Sequence, residues 1–216
     1  MQIKVFIVDD HQVFRQGLSE LLLKKNNVLI AGGASNGREA LDQLKSANPD
    51  IIFLDISMPE LNGIDACVHI KRVVPKAKII ILSMHDKGKY ISDALSQGVC
   101  GYLLKDIDAE ELFQAIDTVM NGGVFLSGKI NQQVIKDYIG RAQDKQFPSP
   151  VDTLSVRERE VFQLMAEGYT GKEMAKKLNI SPKTVEHHRY KVMSKLSCHN
   201  TAQVIRLAIK EGVVTP

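Results

Sequence analysis

Asp55 closes an unbroken apolar run, Ile51-Ile52-Phe53-Leu54-Asp55, that follows Asn48-Pro49-Asp50 and precedes Pro59, Asn62 and Gly63. A continuous apolar run between turn residues reads as a strand buried on both faces. A carboxylate at the carboxyl end of such a strand stands where open parallel sheets hold their ligands. Three further strand signals end in polar chemistry: Ile3 to Val8 runs into Asp9-Asp10, Lys78 to Leu82 into Ser83, and Gly101 to Leu104 into Lys105. Parallel alignment of these strands brings three acids, a hydroxyl and an amine to one edge. Two carboxylates 4 Å apart repel by about 4 kcal/mol at an effective dielectric near 20. Such a cluster protonates or takes a cation, and hard oxygens with room for water suit Mg²⁺, with Mn²⁺ an alternative. One carboxylate turned outward can then act as a nucleophile toward a phosphoryl group. Lys105 supplies a fixed positive charge for the transferring oxygens, and the Ser83 hydroxyl a hydrogen bond to one of them.

Strand and helix signals alternate through residues 1–122, which predicts a doubly wound α/β domain with a five-stranded parallel sheet and right-handed crossovers. Helices are expected over about Val13 to Lys25, with Val13, Leu18, Leu21 and Leu22 inward, then after the Asn36 to Glu39 capping box, from Ile64 to Val73, from Tyr90 to Gln97, and from the Asp108 cap to Met120. Residues 123–152 change character. Lys129 to Ile139 suits a short helix with Ile130, Val134, Ile135 and Tyr138 clustered, and Gly140 to Pro150 reads as a tether. Residues 153–216 show only helix signals: capping boxes at Ser155-Glu158 and Thr170-Glu173, Ser181 with Pro182 at the first helical position, and an Asn200 cap, together a four-helix all-α domain.

Charge divides in the same way. Residues 1–122 carry three more acids than bases and residues 153–216 five more bases than acids, so an acidic module precedes a basic one suited to nucleic acid. The 44% hydrophobic share is enough for a core, and no apolar stretch reaches membrane-span length. The chain opens on a strand rather than a signal peptide, and a cytoplasmic protein is expected. Cys67, Cys100 and Cys198 are too few and scattered for a disulfide or zinc framework.

In the rear, Ala175, Leu178 and Ile180 with the Asn179 to Ser181 turn make a helix-turn-helix pattern. At about 100° per residue, Val185, His188, Val192 and Leu196 share one side of the second helix. Lys183, Glu186, His187, Tyr190, Lys191 and Ser194 share the other, a face that can enter the major groove. His188 is expected to be structural. In the last helix, Ala202, Ile205 and Ile209 are assigned to the core. Val204 and Ala208 form a second apolar row for a two-fold partner to cover.

Val8-Asp9-Asp10, Leu54-Asp55 with Met58-Pro59 and Gly63, Ser83, and Tyr102 with Lys105 together resemble the receiver domain of two-component response regulators, which has a flavodoxin-like fold. The resemblance implies that Asp55 is the phosphoacceptor. It implies direct Mg²⁺ ligation by Asp10, Asp55 and the backbone carbonyl of Ser57, with Asp9 acting partly through water. Lys105 would pair with the phosphoryl group, and Ser83 and Tyr102 would form a switch pair. Leu154-Ser155-x-Arg157-Glu158-x-Glu160-Val161, Gly168, Lys172-Glu173-x-Ala175, Leu178, Ile180-Ser181-x-Lys183-Thr184-Val185, His188 and Lys195-Leu196 resemble the LuxR-type DNA-binding domain.

Both resemblances together imply the NarL/FixJ class. Such a chain takes a phosphoryl group from a sensor histidine kinase and regulates transcription as a homodimer on double-stranded DNA. It is not an enzyme beyond self-catalysed phosphorylation and slow dephosphorylation. Lys172, Lys183, Thr184 and Lys191 are then expected on DNA phosphates, and Glu186, His187 and Tyr190 at base edges. The chain departs from the families at Asp106, where many receivers have a cis proline, and a trans bond is expected there. It departs again at Gly171, often Asn, and at His187, usually small or apolar. A haloacid-type phosphohydrolase would need an Asp-x-Asp motif after the first strand. This chain has Asp9-Asp10-His11, and the basic rear would be without a role.

Overall fold

The computed structural model describes residues 2–141 and 149–214. Tether residues 142–148 and the Tyr138 side chain lie outside the described ones. The chain divides into two compact units, a larger front one and a smaller rear one.

The front unit alternates β1 (Ile3–Val8), α1 (Gln12–Leu23), β2 (Val28–Ala34), α2 (Gly37–Ala47), β3 (Ile51–Asp55), α3 (Gly63–Val73), β4 (Lys78–Ser83), α4 (Gly88–Ser96), β5 (Gly101–Leu104) and α5 (Ala109–Met120). β6 (Phe125–Leu126) and α6 (Gly128–Arg141) follow. The sheet is parallel throughout, in the order β2-β1-β3-β4-β5-β6. It has six strands where five were expected. β6 is two residues long and follows Gly122-Gly123, too short for any periodicity to show. Every residue of β3 is buried, as a central strand covered on both faces requires. The chain changes direction across the sheet between β1 and β3, and Val8 stands opposite Leu54. Asp9 and Asp55, each one step further on, meet at this switch point.

Gly63 is what lets α3 start so close to β3. A Cβ there would overlap the Asp55 carbonyl oxygen, while its N–H donates to Ile56 O at 2.9 Å. Asn36 caps α2 by accepting from the N–H groups of Arg38 and Glu39, but Glu39 reaches past it to Ser35 N–H and Oγ, so the expected capping box is shifted by one residue. Val13 is 83% exposed: it sits in the first turn of α1, outside the arc that Leu18 and Leu22 bury. In α6, Ile130 is fully buried and Ile135 is exposed, so the expected apolar cluster is only partly inward. The Lys105–Asp106 bond is trans, and there is no cis peptide among the described residues.

The rear unit begins with a single 3-10 turn, Pro150–Thr153, followed by α7 (Val156–Ala166), α8 (Gly171–Leu178), α9 (Pro182–Lys195) and α10 (Thr201–Lys210). Ser155 and Thr170 form capping boxes with Glu158 and Glu173, and Ser181 and Asn200 cap α9 and α10. Val161, Phe162, Leu164, Val185, Val192, Val204 and Ala208 meet in one core. The two apolar rows of α10 are therefore assigned the wrong way round in the sequence. Val204 and Ala208 are completely buried within their own domain, while Ala202 and Ile209 are exposed. Val204 and Ala208 are not a dimer face. No helix among the described residues is long and apolar enough to cross a membrane.

Val204→Glu is expected to unfold the rear domain, because an unpaired buried carboxylate costs several kcal/mol. Ala202→Glu, on the exposed side, is expected to stay within about 0.5 kcal/mol of wild type. Far-UV circular dichroism during urea unfolding checks both; a folded Val204→Glu chain would contradict the packing.

Candidate functional site

The end of β1, the end of β3 and the start of the β5–α5 loop deliver the acids and the amine. Lys105 Nζ lies 2.6 Å from Asp9 Oδ2 and 2.8 Å from Asp55 Oδ2. It also lies over the Phe14 ring, 4.8 Å from its centroid. Asp55 Oδ1 accepts the Ile56 N–H at 2.7 Å. Asp9 and Asp55 are 1% and 3% exposed, so neither charge is relieved by bulk water. Burial pushes Asp55 up to about 6, the charge of Asp9 adds to this, and Lys105 works against it. Burial also pushes Lys105 down, but its two carboxylate partners more than reverse that and hold it above its ordinary value. Asp10 is the outward member of the group. His11 Nδ1 lies 2.7 Å from Asp10 Oδ1 and 3.3 Å from Asp9 Oδ1. One ligand atom from each of Asp9, Asp10, His11 and Asp55 lies within 4.8 Å of the others. Clustered carboxylates of this kind fit a divalent cation.

Ser83 and Tyr102 meet on the backbone of one residue. The buried Ser83 hydroxyl accepts the His85 N–H at 3.0 Å, and the Tyr102 hydroxyl donates to the His85 carbonyl at 2.7 Å. Tyr102 is fully buried, and burial raises its pKa. His85 Nε2 is 2.8 Å from Ser57 Oγ, and the ring stacks on Tyr90 at 4.5 Å. Burial, with Lys87 nearby, lowers the His85 pKa. Sequence reasoning missed His11, Phe14 and His85. His11 adjoins Asp10, and that adjacency was the one signal available. Phe14 shows its role only through Lys105, far away in the chain, and His85 through distant Ser57 and Tyr102 as well as nearby Ser83 and Tyr90.

In the rear unit, Asn179 in the left-handed conformation ends α8 (φ 52°) and turns the chain into α9. Arg157 fastens this turn, donating to Leu178 O at 2.6 Å and to Glu160 at 2.9 Å. Burial works against ionisation of Glu158. The Lys195 ammonium at 2.6 Å and the Ser155 N–H prevail and hold its carboxyl down to about 2. The buried side of α9 carries Val185 and Val192, with His188 half-buried beside them. Lys183, Glu186, His187, Tyr190 and Lys191 are exposed on α9, and Lys172 is exposed in the first turn of α8. Thr184 is half-buried, its Oγ1 2.8 Å from Ser181 Oγ. Glu186 pairs with Arg189 at 2.8 Å, a partner that the sequence reading did not give it.

Residues 5–117 match the response regulator receiver domain, and residues 152–208 match the bacterial regulatory proteins of the luxR family. The chain belongs to the DNA-binding response regulators of the NarL/FixJ class, a receiver domain followed by a LuxR-type helix-turn-helix domain, which regulate transcription. It is 33% identical to the transcriptional regulatory protein DegU of Brevibacillus brevis, over 99% of this chain and 95% of that one. It is 34% identical to the oxygen regulatory protein NreC of Staphylococcus epidermidis, over 98% and 99%. Among solved structures it resembles RcsB of Salmonella enterica serovar Typhimurium bound to a promoter in the presence of the phosphomimetic BeF₃⁻. That match has 27% identity and a TM-score of 0.62, over 95% of this chain and 97% of that one.

The sign of the Asp55 shift gives a pH test. A carboxyl whose folded pKa lies above its unfolded value of about 3.9 favours the fold while protonated and loses that contribution as pH rises toward 6. Without divalent cations, Asp55→Asn is therefore expected to gain stability relative to wild type between pH 4.5 and 7.5, on the order of 1 kcal/mol. Urea midpoints at the two pH values measure this, and a difference independent of pH would refute it.

Proposed function

We propose that Asp55 is the phosphoacceptor of this response regulator and that its phosphorylation, by a sensor histidine kinase, controls binding of the rear domain to DNA. The observation that carries this is the buried Asp55 carboxylate facing Lys105 beside Asp9 and Asp10. A carboxylate oxygen of Asp55 forms a bond to phosphorus while the bond from phosphorus to the donor, a histidine nitrogen or an acetate oxygen, breaks and the donor keeps that electron pair. At pH 7 the Asp55 carboxyl is largely ionised, as a nucleophile must be. Lys105 then has a phosphoryl oxygen to pair with in place of the charge that Asp55 gives up. Asp10, Asp55 and the Ser57 carbonyl would hold Mg²⁺ directly and Asp9 partly through water, with Mn²⁺ an alternative. The ion, when bound, offsets negative charge on the phosphoryl oxygens. Ser83 leaves the His85 N–H to bond the phosphoryl group, and Tyr102 repacks with it. The catalysis is confined to self-phosphorylation and slow self-dephosphorylation.

The receiver is assigned to residues 1–122, the linker to 123–152 and the DNA-binding domain to 153–216. Lys172, Lys183, Thr184 and Lys191 bind DNA phosphates, and Glu186, His187 and Tyr190 face base edges. Their position on or beside the solvent side of α9 supports this. A homodimer on double-stranded DNA is supported by the resemblance to RcsB, whose dimers are described bound to DNA. A DNA partner would also fit a cytoplasmic location.

With acetyl phosphate and Mg²⁺, wild type is expected to gain one phosphoryl group by intact-mass analysis and Asp55→Asn none. Equal uptake by both proteins would sink the assignment. Lys183→Ala is expected to lower the slope of log K against log salt by about one, whereas His187→Ala should change sequence preference at one base position. Binding titrations over a salt series, on a randomised site library, separate the two effects.

A further inference from the structure

The segment after α5 is held by β5, which carries Tyr102, and by α4, which follows the His85 loop. β6 adds to the edge of β5, with Leu126 opposite Tyr102. The Phe125 N–H donates to Cys100 O at 3.0 Å and the Ser127 N–H to Tyr102 O at 3.1 Å. The backbone of Tyr102 thus carries the start of α6. Gly101 permits this close pairing, since a Cβ there would stand 3.2 Å from Phe125 O. Further along, α6 packs on α4. The loop before α4 is where the Ser83 and Tyr102 hydroxyls both meet the His85 backbone.

The attachment is light. Ile130 is the one fully buried side chain among the described residues of α6. The Asn131 amide donates to Leu126 O at 2.9 Å, and the Lys129–Asp106 pair at 2.7 Å is open to solvent on both sides. The Ser127 hydroxyl, buried at the head of the helix, has no hydrogen-bond partner. A segment with one buried apolar anchor and few hydrogen bonds opens at the low end of the local stability range. A small shift of β5 or of the His85 loop is then enough to move its equilibrium.

We propose that the docking of β6 and α6 onto β5 and α4 is the contact that phosphorylation switches. The segment is docked at rest and released when Ser83 leaves the His85 N–H and Tyr102 gives up the His85 carbonyl. This rests on the reading of Asp55 as the phosphoacceptor and of Ser83 and Tyr102 as the switch pair. Release adds the residues of β6 and α6 to the chain that joins the two domains, and so widens the range of positions the DNA-binding domain can take.

The test is hydrogen–deuterium exchange of the full chain with and without BeF₃⁻ and Mg²⁺, read on the peptide 124–131. Fluorine NMR reports BeF₃⁻ bound at Asp55, and binding to a DNA site selected from a random library is titrated in parallel. BeF₃⁻ is expected to speed exchange of this peptide in wild type by at least about fivefold. Ile130→Ala removes the buried anchor, and Lys129→Glu sets an acid against Asp106 at the surface. Both are expected to exchange fast without BeF₃⁻ and to bind DNA at least about threefold more tightly than resting wild type. Lys129→Glu leaves the core untouched and carries the test if Ile130→Ala does not fold. Bound BeF₃⁻ with unchanged or slower exchange overturns the proposal. So do variants that exchange as slowly as resting wild type, or that exchange fast yet bind DNA no more tightly. No bound fluorine signal in wild type, or an equal one in Asp55→Asn, refutes instead the phosphoacceptor reading on which the proposal rests.

Discussion

The structure of the front domain turns on one ammonium group between two buried carboxylates. Asp9 and Asp55 come together because β1 and β3 are neighbours in register, and burial removes the water that would otherwise screen them. Ions taken out of water cost several kcal/mol each unless partners compensate. Lys105 compensates both at under 3 Å, and it reaches them because β5 is carried to the far side of β4. The Phe14 ring under Lys105 and the Ile56 N–H on Asp55 complete the support. One positive charge between two negative ones, with Asp10 alongside, still leaves the cluster short of cations. That deficit fits a divalent cation.

Much of this was legible in the sequence, for a physical reason. Strands buried on both faces appear as unbroken apolar runs, and the polar residue that ends each run marks the ligand edge. Strands β1, β3, β4 and β5 and the positions of Asp9, Asp10, Asp55, Ser83 and Lys105 could be read in this way. Features decided by packing could not. In α10, Val204–Ala208 and Ile205–Ile209 have the same spacing, and only the neighbouring helices determine which row is buried. Val13 has the composition of a core residue but lies on the side of α1 away from Leu18 and Leu22. β6 is too short to carry a pattern. His85 brings Ser57 and Tyr102, far away in the chain, together with its neighbours Ser83 and Tyr90, and no local spacing encodes the distant pair.

The rear domain separates structural charges from exposed ones. Arg157 ties α7 to the end of α8, and Lys195 neutralises the buried Glu158 that caps α7. These two bases hold the helix-turn-helix together. The positive surplus that suggests nucleic acid binding is thus partly structural. Lys172 on α8 and Lys183 and Lys191 on α9 are among the bases that stay exposed.

Position 171 shows how a departure from the family pattern acts through geometry. A Cβ on Gly171 would stand 2.8 Å from Glu186 Oε1. The obstructing atom is the tip of a flexible side chain, so a larger residue would displace Glu186 rather than break the fold. Glu186 in its present place holds Arg189 at 2.8 Å, 3 residues further along the same helix. Such a pair on a helix surface is worth only a few tenths of a kcal/mol. Gly171 therefore leaves room for Glu186 to stand where it meets Arg189 on the surface of α9. Together with His187 next to Glu186, this makes the recognition surface the part of the chain where family membership says least and the local geometry says most.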